Sequence, residues 1–174
     1  ADSLEAIATS KGETFYRGRL AERIAAAAEE NGAALTVDDL ASHTADWCGT
    51  IQMPYGDVAL HEIPPNGQGI VALMALGMLA HFDLAGLEPD SVAALHLQIE
   101  AIKLAMADVA VYLADPATMT VTSAELLDAG YLRSRARLIN SRSAGSFGAG
   151  APRQGGTVYI TTADASGMMV SFIQ

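Results

Sequence analysis

At 174 residues the chain is long enough for one domain with a sizeable core and short for two. Hydrophobic residues make up 51% and charged residues 17%, a balance that excludes an intrinsically disordered polymer. The net charge of −10 excludes a nucleic-acid-binding surface, because phosphate recognition needs clustered Lys and Arg and only Arg133 to Arg142 is locally basic.

The first residues, Ala1 to Ile7, already follow a helical pattern. Residues 13–31 read as an amphipathic helix with Leu20, Ile24 and Ala28 on one face, stopped by Asn31-Gly32. Thr36-Val37-Asp38-Asp39 has the form of a capping box and opens a short helix toward Trp47. Cys48 is the single cysteine, so an internal disulfide is excluded; next to Trp47 it is expected to be buried. Residues 50–63 turn strand-like, with Pro54-Tyr55-Gly56-Asp57 as the hairpin turn.

Pro64-Pro65-Asn66-Gly67-Gln68-Gly69 leads into an apolar helix from Ile70 to about Phe82. Its longest uncharged run, Gly69 to Ala80, falls short of the roughly 18 residues a membrane helix requires, so no membrane partner is expected. The next helix carries Val92, Leu95, Ile99, Ile102, Met106, Val109 and Leu113 at alternating steps of three and four, an unbroken apolar stripe. Met74, Met78 and Met106 all read as core. Asp115-Pro116 ends this helix, and Thr122-Ser123-Ala124-Glu125 caps another running to about Ile139.

A Gly/Ser-rich loop with five glycines then spans Ser141 to Gly156, and order returns abruptly at Thr157. Residues 157–163 and 168–174 read as a second hairpin around Asp164-Ala165-Ser166-Gly167. A chain that starts inside a helix and stops in an apolar strand is expected to be part of a longer sequence.

Thr157 sits where the loop meets the strand, directly after Gly155-Gly156. An N-terminal Thr is a self-sufficient catalyst: its hydroxyl is the nucleophile, and its own α-amino group, with a pKa near 8, serves as base. That amine exists only once the Gly156–Thr157 bond is cut. Taken alone, the same Gly-Gly-Thr also fits an ordinary loop-to-strand junction. Other groups carry less. His96 and Glu100 lie four apart on a helix, too few for a metal set and typical of a solvated face. His61-Glu62 point to opposite sides of a strand, and His43 and His81 lack partners at ligand spacing. Asn66 to Gly69 precede a helix but lack the Lys and Ser/Thr of a phosphate loop. Asp108 and Asp115 have no second acid at a spacing that suggests acid–base work.

Six stretches in order resemble the γ-glutamyltransferase family: Phe15 to Gly18, Leu35 to Leu40, Pro64 to Gly69, His96 to Ala105, Tyr112 to Pro116, and Gly155-Gly156-Thr157-Val158-Tyr159, with Asp164 and Gly167 following. The resemblance implies an N-terminal-nucleophile hydrolase, made as one chain and cut into a large and a small subunit. It implies an α+β chain, mostly helical, forming part of an αββα fold with hairpins near 50–63 and at 157–174. Residues 1–156 would be the end of the large subunit, closing in the loop 141–156, and residues 157–174 the first strands of the small one.

The resemblance further implies Thr157 as nucleophile and Gly156–Thr157 as the autocleavage bond. The expected substrate is a small γ-glutamyl amide such as glutathione, with no cofactor and no metal. The carboxylate-binding arginine would lie upstream of Ala1 and the oxyanion-hole glycines beyond Gln174. The remaining parts of its own precursor are the expected partner, with a homo-oligomer as a further possibility, and the piece by itself is expected to be inactive. The chain departs from well-known members at Val158 and Tyr159, where those have Thr and His. The Pro64–Gly69 loop resembles a divergent branch that includes cephalosporin acylases, so a β-lactam acylase is the first rival. A non-catalytic helical module or an unprocessed member is the second.

Overall fold

A computed structural model describes residues 2–152 and 159–173, and the chain forms two compact units, Ala1–Trp47 and Cys48–Gln174. The first unit holds four helices, α1 (Asp2–Thr9), α2 (Glu13–Arg17), α3 (Arg19–Glu30) and α4 (Val37–Ser42). The single helix expected over residues 13–31 is interrupted at Gly18, whose extended backbone (φ −146°, ψ −163°) starts α3 afresh. Glycine gives up the most backbone entropy on entering a helix, which makes it the cheap place to break one. Leu20, Ile24 and Ala28 share the half-buried face of α3 as expected, with Ala21 fully buried.

The stop at Asn31-Gly32 is a six-to-one closure, Ala33 N–H donating to Ala28 O at 2.8 Å with Gly32 at φ +69°. The Thr36 capping box forms in both directions: Asp39 N–H donates to Thr36 Oγ1 at 3.2 Å, and Thr36 N–H donates to Asp39 Oδ2 at 2.8 Å. The Thr36 hydroxyl and then its N–H hold the Asp39 carboxyl below its ordinary range. The helix that follows stops at Ser42 rather than reaching Trp47. Trp47 and Cys48 are exposed, which corrects the expectation of a buried cysteine: neither lies in a helix or strand that could fold it inward.

In the second unit, β1 (Ile51–Tyr55) pairs antiparallel with β2 (Val58–Glu62) in the register Ile51↔Glu62 to Tyr55↔Val58. The loop is only Gly56-Asp57, tighter than the four-residue turn expected, and Gly56 takes the left-handed φ of +61° that such a turn needs. Helices α5 (Ile70–Leu79), α6 (Val92–Tyr112), α7 (Ser123–Leu126) and α8 (Ala129–Ala136) follow. Met53 of β1, Leu73, Met74 and Met78 of α5, Leu97 and Leu104 of α6, and Leu126 and Leu132 form one buried cluster. Helix α5 is apolar nearly all round and buried, as read, and a Cβ at Gly77 would collide with Leu132 Cδ1, so glycine lets α8 approach it closely.

Two helical expectations need correction here. The helix expected from Thr122 to Ile139 is two helices, because Asp128 accepts from Tyr131 N–H at 2.8 Å and caps α8 separately. The apolar stripe of α6 is mostly an outer face: Val92, Leu95, Ile99, Ile102 and Met106 are exposed, and Val109 alone among the seven is buried. Met106 is therefore not core, whereas Met74 and Met78 are. The buried face of α6 is instead Ala94, Leu97, Glu100, Ala101, Leu104, Ala105, Asp108 and Val109. Small residues there let α5 pack close to the helix axis, so the inner face reads as less apolar than the outer one.

A second hairpin pairs β3 (Tyr159–Ala163) with β4 (Met169–Ile173) around a turn in which Asp164 Oδ1 accepts from Ser166 N–H at 2.8 Å and Met168 N–H at 3.1 Å. Gly167 adopts φ +88°, and the Ser166 hydroxyl is the first cause of a lowered Asp164 carboxyl pKa. Among the described residues no helix is long and apolar enough to cross a membrane.

Candidate functional site

Thr157 and Gly156 lie outside the described residues, which end on the near side at Pro152 and resume at Tyr159. The structure does describe the backbone that leads to them. Residues 140–150 run alongside α6 in the same direction as the helix, fastened by side chains one to two helical turns apart. A segment read as a featureless Gly/Ser loop is thus an ordered track.

The fastening begins at His96, whose Nε2 lies 2.8 Å from Asn140 O. One turn on, Glu100 is buried (1% exposed) and accepts from Gly145 N–H through Oε2 at 2.7 Å. Its Oε1 pairs with Lys103 Nζ at 2.6 Å, and that ammonium also donates to Gly145 O and lies 5.3 Å from the Phe147 ring centroid. The Lys103 hydrogen bond first, and the Gly145 N–H second, hold the Glu100 carboxyl below its ordinary range. Both polar groups of the Gly145 peptide are therefore read by side chains of opposite charge.

Two turns further, Asp108 is fully buried and anchors the densest part of the network. Arg135 of α8 grips it as a fork, Nη2 to Oδ1 at 2.9 Å and Nε to Oδ2 at 3.2 Å. Tyr131 Oη donates to Oδ2 at 2.8 Å, and Gly150 N–H donates to Oδ1 at 2.7 Å. Burial, then the bond to Asp108, pushes the Tyr131 hydroxyl well above its ordinary pKa, so it stays protonated and donates.

Arg135 Nη2 also donates to Gly148 O at 2.8 Å and Leu104 O at 3.3 Å, and Tyr112 Oη donates to Gly150 O at 2.6 Å. A Cβ on Gly150 would run into Tyr131 Oη and Arg135 Cδ, so only glycine can lie this close. Among the described residues no buried side-chain N or O is left without a hydrogen-bond partner, as a buried charged network requires.

The other residues singled out from the sequence do not converge. His96 and Glu100 bind different loop carbonyl and amide groups, and Glu100 is buried rather than on a solvated face. His61 Nδ1 meets Thr50 Oγ1 at 3.0 Å, His43 stacks on Tyr16, and Asp115 Oδ1 accepts from Ala117 N–H in a turn. At the start of α5, Gly69 lies against the Glu62 carboxylate, which makes that helix end unsuited to an anion. Among the described residues no three His, Cys, Asp or Glu side chains group as metal ligands.

Sequence reasoning set Asp108 aside for want of a second acid, and did not single out Arg135, Lys103 or Tyr112. A signal was present: His96 and Glu100, and again Asp108 and Tyr112, are polar pairs four apart and so neighbours on a helix surface.

Residues 1–174 match the family model for gamma-glutamyltranspeptidase along the whole chain. The chain is 34% identical to the glutathione hydrolase-like YwrD proenzyme of Bacillus subtilis, covering 100% of this chain and 33% of that protein. It is 33% identical to the oxamate amidohydrolase proenzyme of Klebsiella pneumoniae, over 100% of this chain and 32% of that protein. Among solved structures, the cephalosporin acylase from Bacillus halodurans superposes with a TM-score of 0.72 at 42% identity, over 98% of this chain and 31% of the other. The chain thus spans about a third of the length of the relatives it matches.

Proposed function

We propose, because the chain belongs to the gamma-glutamyltranspeptidase family, that its parent is a self-processed γ-glutamyl amide hydrolase or transferase with Thr157 as nucleophile. The chain carries part of the α+β fold of the N-terminal-nucleophile hydrolases of this family. In the proposed maturation, Thr157 Oγ attacks the Gly156 carbonyl carbon, its proton passes to the departing amide nitrogen, and the C–N bond breaks. The product is an ester from Gly156 to Thr157 Oγ with a free α-amine on Thr157. Water cleaves the ester, leaving a Gly156 carboxylate and restoring the hydroxyl. Residues 1–156 then end one subunit and Thr157 begins the other.

In turnover the freed amine takes the Thr157 hydroxyl proton as Oγ attacks the γ-glutamyl carbonyl, and delivers that proton to the leaving amine. Water or an acceptor amine resolves the resulting acyl ester. The observation that carries this reading is the buried fastening of residues 145–150, which gives a glycine-rich segment a fixed path toward the bond. The exposed α6 stripe is proposed to be covered by the rest of the precursor, since the relatives are proenzymes about three times as long.

Mass spectrometry of the full-length parent tests this reading: the chain should separate into two at Gly156–Thr157. Thr157→Ala should leave one chain and lower turnover by a factor on the order of a thousand or more. Processing and turnover that survive Thr157→Ala would remove the nucleophile.

A second reading, hydrolysis of another acyl amide, is favoured by the 42% identity to a cephalosporin acylase. Comparing glutathione with a glutaryl β-lactam as substrates separates the two.

A further inference from the structure

We propose that the open cavity between the end of α5 and the end of α8 binds a small carboxylate with an aromatic or branched apolar tail. The cavity has a volume of about 290 Å³ and is lined by His81, Phe82, Arg133, Ala136, Arg137 and Ile139. None of these residues takes part in the fastening of residues 140–150, and the proposal is independent of the role of Thr157.

The walls come from two helix ends. Past α5, His81 N–H donates to Met78 O at 3.1 Å and Phe82 N–H to Leu79 O at 3.0 Å. Past α8, Arg137 N–H donates to Arg133 O at 3.3 Å and Ile139 N–H to Ala136 O at 3.1 Å. Arg133 and Arg137, four apart, are neighbours on the helix surface, while Arg135 between them turns inward to Asp108. Ala136 and Ile139 are buried and Phe82 is half-buried, so an apolar floor lies beneath a rim of exposed His81, Arg133 and Arg137.

The charge arrangement points to a ligand. The chain has 20 acidic residues against 10 Lys and Arg, yet no carboxylate lines this cavity. Among the described residues, ion pairs form at Arg17, Lys103 and Arg135 but not at Arg133 or Arg137. The acids closest in sequence are engaged elsewhere. Asp83 accepts from Gly86 N–H at 3.1 Å, and Asp128 caps the opposite end of α8 through Tyr131 N–H at 2.8 Å. Like charges four apart on a helix repel. The carbonyl end of α8 offsets part of that repulsion, and an anion between the two guanidinium groups would remove the rest.

The same walls select the ligand. A guanidinium group matches the two oxygens of a carboxylate, whereas inorganic phosphate would leave the Phe82 and Ile139 surfaces in water. A volume near the lower bound of small-molecule sites, about 300 Å³, suits a ligand of benzoate size rather than a nucleotide or a peptide.

Benzoate titrated into the full-length parent, followed by ligand-observed NMR, should bind with a Kd on the order of 1 mM. Benzamide, which keeps the shape without the charge, and inorganic phosphate, which keeps charge without the tail, should each bind about fivefold more weakly or worse. Arg133→Met and Arg137→Met keep a long apolar stem on an exposed surface, and melting checks that each folds. Each should weaken benzoate about fivefold, and the double substitution should abolish measurable binding. Thr157→Ala should leave benzoate binding unchanged, so the nucleophile and this site fail separately.

Benzamide or phosphate binding as tightly as benzoate overturns the proposal. Benzoate binding that survives the double substitution overturns it too, by placing the ligand elsewhere on the parent. Absence of benzoate binding is equally fatal; a lower melting temperature in the double variant would then assign the arginines a carboxylate of the parent itself.

Discussion

Helix α6 presents two faces whose chemistry is the reverse of their surroundings. The outer face carries Leu95, Ile99, Ile102 and Met106 and is exposed; the inner face carries Glu100 and Asp108 and is buried. Apolar periodicity marks a surface that some partner must cover, but it does not name the partner. On α6 the stripe identifies the face left open in this chain. The inner face is buried against α5 through Ala101, Leu104 and Ala105, and its two carboxylates are tolerated because Arg135, Lys103, Tyr131 and loop amides satisfy them. One helix therefore serves as a packing element and as a rail for backbone.

The largest effect should come from breaking the rail. Asp108→Ala leaves the Arg135 guanidinium buried without its carboxylate and should cost about 3–5 kcal/mol, read from the urea midpoint. A loss below about 1 kcal/mol would mean that water already reaches the pair. Next comes the contrast between the faces. Leu104→Ala on the inner face should cost roughly 3 kcal/mol through lost contacts and a cavity. Ile99→Ala on the outer face, 56% exposed, should change the stability of the 174-residue chain by less than about 0.5 kcal/mol. In the full-length parent the proposed cover over the stripe predicts that the same Ile99→Ala costs about 2 kcal/mol or more. Equal effects in the two contexts would show that the stripe is exposed in both.

What the sequence made legible follows from how local each feature is. The capping boxes at Thr36 and Thr122, the hairpin at Gly56 and the buried α5 depend on neighbours within a few residues, and each formed. The helix breaks at Gly18 and Asp128 are also local, but apolar spacing on both sides concealed them. The fastening of residues 140–150 was not legible because its bonds to other elements join residues 13 to 45 apart, and a carboxylate on a helix looks the same whether it faces water or Gly145. Thr157 was singled out from the loop before it and the family pattern around it; its own geometry lies outside the described residues.

The smallest effect is a pH dependence, and its sign follows from the direction of one shift. Lys103 and the Gly145 N–H both favour the charged Glu100 carboxylate, lowering its pKa in the folded chain beneath the ordinary 4.5. A group whose pKa is depressed by folding binds fewer protons folded than unfolded across that interval, so stability rises with pH there. Its contribution is complete above 4.5 and drains away as pH falls through the lowered folded value. Urea midpoints measured from neutral pH downward should thus show a decline starting near that point, and Glu100→Gln should flatten that part of the profile while removing little at its acid end. Salt should weaken the dependence only partly, since Lys103 is half-exposed while Glu100 is buried. An unchanged profile in Glu100→Gln would mean that the Gly145 contact is held by Lys103 and the neighbouring Phe147 rather than by the carboxylate, and would narrow the rail to its Asp108 end.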